Sequence, residues 1–246
     1  MKRVIKEVVK LEKLVPGGQA IGDLIDGRKV FVWGALPGET ALVRLTKLKK
    51  THAEAIVAEI IKPSPDRIVP RDDCFLATSP WQIMTESAEN RHEVALVKEA
   101  FRQHRVEIEP NEIVSDGRYY HYRNKMEFSF SDMRWLTPDE IKKADEIDNR
   151  NAVGFHIAGA WDKILDIDKC YLQDDTSNAI RLEIKRFALA NEMLFYSPRQ
   201  QTGLLRTMMM RISSIGQIMV VIQFFRNDPK ITLLLDHLAE RFPMIT

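Results

Sequence analysis

The chain holds 246 residues with 36 Lys/Arg against 35 Asp/Glu, and 45% of it is hydrophobic. That suits a globular protein of one large or two modest domains. Two cysteines exclude a disulfide framework. No apolar run approaches the roughly 20 residues of a spanning helix, and Met1-Lys-Arg-Val-Ile-Lys-Glu7 lacks the apolar core of a signal peptide. A cytoplasmic protein without a membrane partner is the expectation. The charge is unevenly spread. Residues 1–71 hold 14 Lys/Arg and 8 Asp/Glu, the remainder 22 and 27, an asymmetry that suggests the first module meets a polyanion.

From Lys2 to Arg67 the pattern reads as a small all-β module. Val4, Val8 and Val9 open a strand, and Gly17-Gly18 marks a turn. Asp26-Gly27 before Val30-Phe-Val-Trp33 signals a hairpin. Leu36-Pro-Gly-Glu39 has Pro and Gly where a type II turn wants them. Ala41–Leu45 and Ala55–Ile61 supply further strands, joined across Lys47, Lys49, Lys50 and His52. Short strands with this punctuation suggest a barrel. The polar, proline-rich stretch 63–73 reads as a linker.

Thr85–Gln103 reads as a helix with Val94, Val97 and Phe101 on one face. In Tyr119–Phe130 a period of two puts Tyr122, Asn124, Met126, Phe128 and Phe130 on an inner face. Arg123, Lys125, Glu127 and Ser129 fall outward. Cations beside aromatics suit phosphates and unstacked bases, though an ordinary amphipathic strand has the same pattern. Leu136–Glu146 reads as a charged helical insertion, Ala152–Ile157 and Lys163–Ile167 as strands, and Asp175 or Thr176 as the cap of another helix. A hairpin, Leu204–Ile212 with Gln217–Phe225, precedes a last helix, Ile231–Phe242. Its Met208-Met-Met210 run is read as core filling.

Tyr122-Arg-Asn-Lys-Met-Glu-Phe-Ser-Phe130, Gly154-Phe-His156 and Asp166-Ile-Asp-Lys-Cys-Tyr-Leu172 resemble, in order and spacing, the central domain of the S-adenosylmethionine-dependent RNA uracil-5-methyltransferases. Gly203-Leu-Leu-Arg206 and Met210-Arg-Ile-Ser-Ser214 extend the likeness over nearly the whole chain. Gly17–Gly22, Phe31-Val-Trp33, Leu36–Glu39 and Pro63–Arg67 look like a TRAM domain, an oligonucleotide-binding-type barrel that grips RNA. The resemblance implies a fold class of a mainly β, OB-like TRAM barrel at 1–67 and an α+β central domain at 68–246. It implies that the Rossmann-like methyltransferase domain is absent from this chain, and that helix 86–105 packs on that missing domain.

The same likeness makes Lys47, Lys49, Lys50, His52, Arg123, Asn124 and Lys125 the candidate RNA contacts. Cys74 and Cys170 match the first and last of four iron–sulfur ligands in relatives. Two thiolates do not hold a cluster that needs four, so no metal is expected and the pair is read as vestigial. The family nucleophile, a cysteine in a Ser-Cys-Asp/Asn-Pro stretch, is missing, and no Gly-rich strand-to-helix turn offers a site for S-adenosylmethionine. The nearest glycine grouping, Gly154–Gly159, has no helix after it.

The reading is therefore the RNA-recognition half of a 23S rRNA or tRNA uracil-5-methyltransferase, with 23S rRNA favoured over tRNA and no DNA partner. It would bind no cofactor alone, S-adenosylmethionine being expected for the full-length enzyme, and would be inactive alone. A complete stand-alone RNA-binding protein and a translation-accessory barrel protein stay open. The apolar end, Phe242-Pro-Met-Ile-Thr246, favours a fragment.

Overall fold

The computed structural model describes residues 5–143, 146–157 and 160–246. Val4, Ala144 and Asp145 of the insertion 136–146 and the last glycine of the Gly154–Gly159 grouping fall outside the described residues. The chain forms two compact units, Met1–Asp116 and Gly117–Thr246.

In the first unit, β1 (Lys6–Leu14), β2 (Ala20–Asp23), β3 (Lys29–Trp33), β4 (Thr40–Leu48) and β5 (His52–Lys62) close a barrel in the order β1-β2-β3-β5-β4. β3 and β5 run parallel and the other pairs antiparallel. Strict alternation drives this: Val30 and Val32, Ala41 and Val43, Ala53 and Ala55 point inward and are buried. Ala20 and the other inward alanines leave room for so narrow a barrel to close. Gly22 permits the β1–β2 approach, since a Cβ there would lie 2.4 Å from the Lys10 carbonyl oxygen.

The turn between β3 and β4 is held by a buried charge. Gly38 sits at φ +83°, which the second central position of a type II turn requires. Glu39 is fully buried. Its carboxylate accepts from the backbone N–H of Leu36 (2.8 Å) and of Ser64 (3.1 Å), and takes a two-pronged contact from Arg67 at 2.5 and 2.8 Å. Arg67 also donates to the Gly34 carbonyl at 2.9 Å. The proline-rich stretch 63–73 is thus pinned to the barrel through Arg67.

The segment after it continues the same core. Following the short α1 (Phe75–Thr78), Ile83, Met84 and Ala88 join the barrel's buried cluster, and the Trp81 indole N–H reaches the Gly18 carbonyl at 3.4 Å. With this packing the compact units divide at 116/117. α2 (Glu86–Gln103) is capped by Thr85, whose side chain accepts from the Ala88 N–H. Lys13 of β1 reaches Glu99 of α2 at 2.8 Å. Only Ala88 of this helix is buried; Val97 and Phe101, which share one face, are exposed.

The second unit is a five-stranded antiparallel sheet in the order β10-β9-β6-β7-β8. The strands are β6 (Lys125–Ser131), β7 (Ala152–Ile157), β8 (Ala160–Asp166), β9 (Leu205–Ile212) and β10 (Ile218–Phe224). On the inner face Met126 pairs with Met210 and Phe128 with Met208, and all four are buried. α3 (Pro138–Lys142) opens on a capping box, in which Thr137 accepts from the Glu140 N–H and Glu140 reaches back to the Thr137 N–H. α4 (Asp175–Ala190) is capped by Asp174, one residue before the expected Asp175 or Thr176. It buries Ile180, Ile184 and Ala188, while α5 (Lys230–Arg241) buries Leu234 and Leu238.

The Tyr119–Phe130 strand starts later than its alternation predicts. Tyr122 and Asn124, assigned to the inner face, are exposed. The stretch before Lys125 instead runs along residues 171–173, the His121 N–H donating to the Tyr171 carbonyl and the Arg123 N–H to the Leu172 carbonyl.

Glu183 of α4 binds the two helices together. It contacts Arg186, and it meets His237 Nε2 at 2.6 Å and Arg241 Nε at 3.4 Å on α5. The Arg186 guanidinium first, then His237 and Arg241, hold its carboxyl down at about 2. Because the folded value lies below the unfolded one, this stabilisation is whole above the ordinary glutamate range and is lost as pH falls towards 2.

Two outcomes are expected. Glu39→Ala should cost roughly 2–4 kcal/mol in chemical denaturation, because it strands Arg67 and two backbone donors. A cost below about 0.5 kcal/mol, the usual scatter of surface substitutions, would show that the turn holds without the charge. Between pH about 5 and 2 the parent protein should lose roughly 1–3 kcal/mol more stability than Glu183→Gln. Parallel acid unfolding curves for the two would contradict that.

Candidate nucleic-acid interface

Two groups of candidate residues lie on separate units. On the barrel, Lys47 sits near the end of β4, Lys49 and Lys50 form the turn, and His52 opens β5. All three lysines are exposed. Lys47 Nζ lies 3.0 Å and Lys49 Nζ 3.8 Å from the Glu54 carboxylate, and Lys47 above all lowers the Glu54 pKa. Glu54 therefore offsets part of this positive charge, and Lys50 has no ion pair among the described residues. His52 stands edge-on to Phe31 at 5.6 Å and is half-buried, with Nδ1 3.1 Å from Thr51 Oγ1.

Sequence reasoning missed Arg28 here. Its guanidinium donates to the Lys49 carbonyl at 2.9 Å, tying the Asp26-Gly27 turn to the lysine turn. The β3–β5 pairing, with Lys29 opposite His52, brings the two turns to one end of the barrel. The linear signal was only a basic pair beside a turn, and the parallel pairing that makes it relevant is non-local.

On the second unit, Arg123, Asn124 and Lys125 are exposed where the chain enters β6. Their backbone is fixed on both sides: the Arg123 N–H donates to the Leu172 carbonyl at 2.9 Å, and the Asn124 carbonyl accepts from the Ile212 N–H at 2.9 Å. His121 adopts φ +58°, uncommon for a residue with a side chain. Its Nδ1 donates to the Gln173 carbonyl at 2.9 Å, which with its backbone bond holds it there.

The 166–173 stretch is itself clamped from α4. Asn178 accepts from the Cys170 N–H at 2.8 Å and donates to the Cys170 carbonyl at 3.0 Å. Arg181, fully buried, donates to the carbonyls of Ile167 and Asp168 and lies over the Phe128 ring at 5.3 Å. Burial pulls the Arg181 pKa down to about 10, which leaves it charged at neutral pH. α4 thus orders 166–173, which orders 121–123, which presents Arg123 to solvent.

Around that point stand Tyr122, Tyr120 edge-on to Tyr171, and Lys169 over the Tyr171 ring at 5.0 Å. Such a mixture of aromatic faces and cations can stack bases and hold phosphates. Arg211, also missed, pairs with Lys125 across β6–β9 and is exposed. Only the strand register reveals it. The outer face of the sheet carries a shallow groove of about 500 Å³ lined by Glu127, Ser129, His156, Thr207, Met209 and Gln223. His156 Nε2 lies 3.1 Å from Ser129 Oγ in it.

Cys170 is buried and Cys74 half-buried. Among the described residues no three His, Cys, Asp or Glu gather as a metal site, and two thiolates do not fit a four-thiolate cluster. For S-adenosylmethionine the comparison rests on the described helices. None of the described helices is entered through the glycine turn that a nucleotide-type ligand uses at a helix N-terminus. No described helix is long and apolar enough to cross a membrane.

Residues 6–58 match the TRAM domain family. The chain is 37% identical to a protein of Bacteroides thetaiotaomicron named as an uncharacterized RNA methyltransferase, over 93% of this chain and 52% of that one. A protein of the same name from Porphyromonas gingivalis is 37% identical over 90% of this chain and 50% of its own. The chain spans about half the length of these curated relatives. In fold it is similar to the Pyrococcus abyssi tRNA (uracil-54, C5)-methyltransferase, solved with S-adenosyl-L-homocysteine. The TM-score is 0.62 at 19% identity, covering 92% of this chain and 48% of that one.

This likeness corrects the fold class expected from sequence, an OB-like TRAM barrel plus an α+β central domain with the family's Rossmann-like domain absent. A solved methyltransferase matches 92% of the chain, so the fold is methyltransferase-like. The expected absence of that domain leaned on missing catalytic motifs, and a few side chains for chemistry say little about backbone topology. The chain carries a TRAM domain and is similar, over some nine tenths of its length, to RNA methyltransferases.

Proposed function

We propose that this chain is the RNA-recognition half of a uracil-5-methyltransferase. In this reading it binds folded RNA, 23S rRNA in preference to tRNA, and presents a uridine for 5-methylation. The observation that carries it is the TRAM domain at 6–58 within a chain similar throughout to RNA methyltransferases. Lys47, Lys49, Lys50 and His52 contact phosphates on the barrel, and Arg123, Asn124 and Lys125 contact RNA on the second unit, with no DNA partner. The methyl donor, S-adenosylmethionine, belongs to the half of the relatives' length that this chain does not span. The exposed stripe of α2, Val97 and Phe101, faces that half. The protein works in the cytoplasm.

Neutralising phosphates releases counterions, so affinity should fall steeply with salt. Binding of a 23S rRNA fragment should weaken by at least about tenfold between 50 and 200 mM salt if several phosphates are held. Lys49→Ala/Lys50→Ala should lower the slope of log affinity against log salt by about 1–2 and weaken all RNAs alike. Lys47→Ala should lower it less, because Glu54 already offsets that charge. Binding indifferent to salt, or tighter binding to tRNA than to every 23S fragment, would overturn the reading or its choice of RNA.

A further inference from the structure

Among the described residues, the sheet of the second unit is open along β10 beyond Ile218. This strand pairs with β9 on one side only, and the register Ile218↔Ile212, Val220↔Met210, Ile222↔Met208 aims the N–H and C=O groups of Ile218, Val220 and Ile222 at the free edge. Its side chains are apolar except for Gln223, and Met219 and Val221, with Phe225 just after the strand, are exposed. A long apolar edge of this kind is a template for another strand, and folded proteins normally cover it.

The chain has already begun to do so. After α5 it turns back, the Ile245 N–H donating to the Phe242 carbonyl at 2.9 Å, and then runs beside β10 in the parallel sense. The Ile218 N–H donates to the Met244 carbonyl at 2.9 Å, and the Thr246 N–H to the Ile218 carbonyl at 3.0 Å. This is the first rung of a parallel ladder. β10, α5 and residues 244–246 stand as strand, crossover helix and parallel strand, the connection that parallel pairing demands.

We propose that the free edge of β10 seats a sixth strand, formed by the polypeptide that follows Thr246 and continuing the register set by Ile245. This rests on the reading above, with the half of the relatives' length that this chain does not span placed after Thr246. The register dictates the next bonds: the Val220 N–H to the Thr246 carbonyl, and the second residue after Thr246 to the Val220 carbonyl. Ile222 repeats the pattern one rung on. Ile245 lies opposite Ile218, which is buried on the inner face. The first and third residues after Thr246 therefore point inward beside Val220 and Ile222, and apolar side chains belong there. Both β10 residues are only half-buried without them.

The test compares amide hydrogen exchange, without RNA, in the 246-residue chain and in the longer native polypeptide. In the shorter chain the Val220 and Ile222 amides should exchange fast; in the longer one both should slow by about a hundredfold or more, as amides of a formed ladder do. Unchanged exchange at both positions in the longer chain would overturn the proposal, as would a native polypeptide that ends at Thr246. Slowing at Ile222 alone would refute the register. Val220→Pro supplies a second readout, because its lost N–H points away from β9. In the longer chain it should abolish protection at Ile222 while the Met219 and Val221 amides, bonded to β9, stay slow. RNA binding enters none of these readouts, so its failure would leave them standing and their failure would leave RNA binding untouched.

Discussion

The second unit depends on one buried cation. Arg181 has no exposure, stays charged, and directs its guanidinium at the carbonyls of Ile167 and Asp168 while lying over Phe128. Burying a charge is costly unless it is satisfied; carbonyl oxygens converge on the two terminal nitrogens of Arg181, while its buried Nε has no partner among the described residues. The consequence reaches well past the helix. With Asn178 gripping both backbone groups of Cys170, α4 fixes an irregular stretch that has no ladder of its own. That stretch supplies the acceptors for His121 and Arg123. An exposed cation on one surface is held in place by a buried one behind it.

The barrel obeys a similar rule with the opposite sign. Glu39 is a buried anion satisfied by backbone donors and Arg67, and it ties the β3–β4 turn to the chain leaving the barrel. In both units the irregular backbone, not the regular strands, needs the buried charge. Strands satisfy their polar groups through the ladder, whereas turns and connections depend on side chains to do it. The exposed cations operate under another regime. Lys47 and Lys49 sit near Glu54, where solvent screens the pairing enough that a polyanion can compete for them.

Parts of this were legible in the linear sequence. Met126, Phe128 and Phe130 alternate with Lys125, Glu127 and Ser129, and the strand obeys, because a half-buried strand leaves no other placement. Asp26-Gly27 and Leu36–Glu39 gave their turns through the backbone freedom of glycine. The candidate cations were legible as types and positions. Their surroundings were not: the closeness of Glu54 to Lys47, the place of Arg28 beside Lys49, and Arg211 opposite Lys125 all follow from strand pairing between distant residues. For α2 the apolar stripe was legible, and in this chain Val97 and Phe101 of it are exposed. Periodicity reveals an apolar face but never what covers it.

The sequence by itself determined the alternation of the strands, the glycine turns, the helix stripes and the likeness to RNA uracil-5-methyltransferases, because these depend on side-chain order within a few residues. Only the tertiary structure decided where the strand at Tyr119 begins, since the 171–173 backbone competes for its first residues. The same holds for the attachment of 63–88 to the barrel core, and for the parallel rung between Ile218 and Ile245. Each of these joins residues far apart in the chain, and local pattern carries no record of which distant hydrogen-bonding group or apolar face will be the partner.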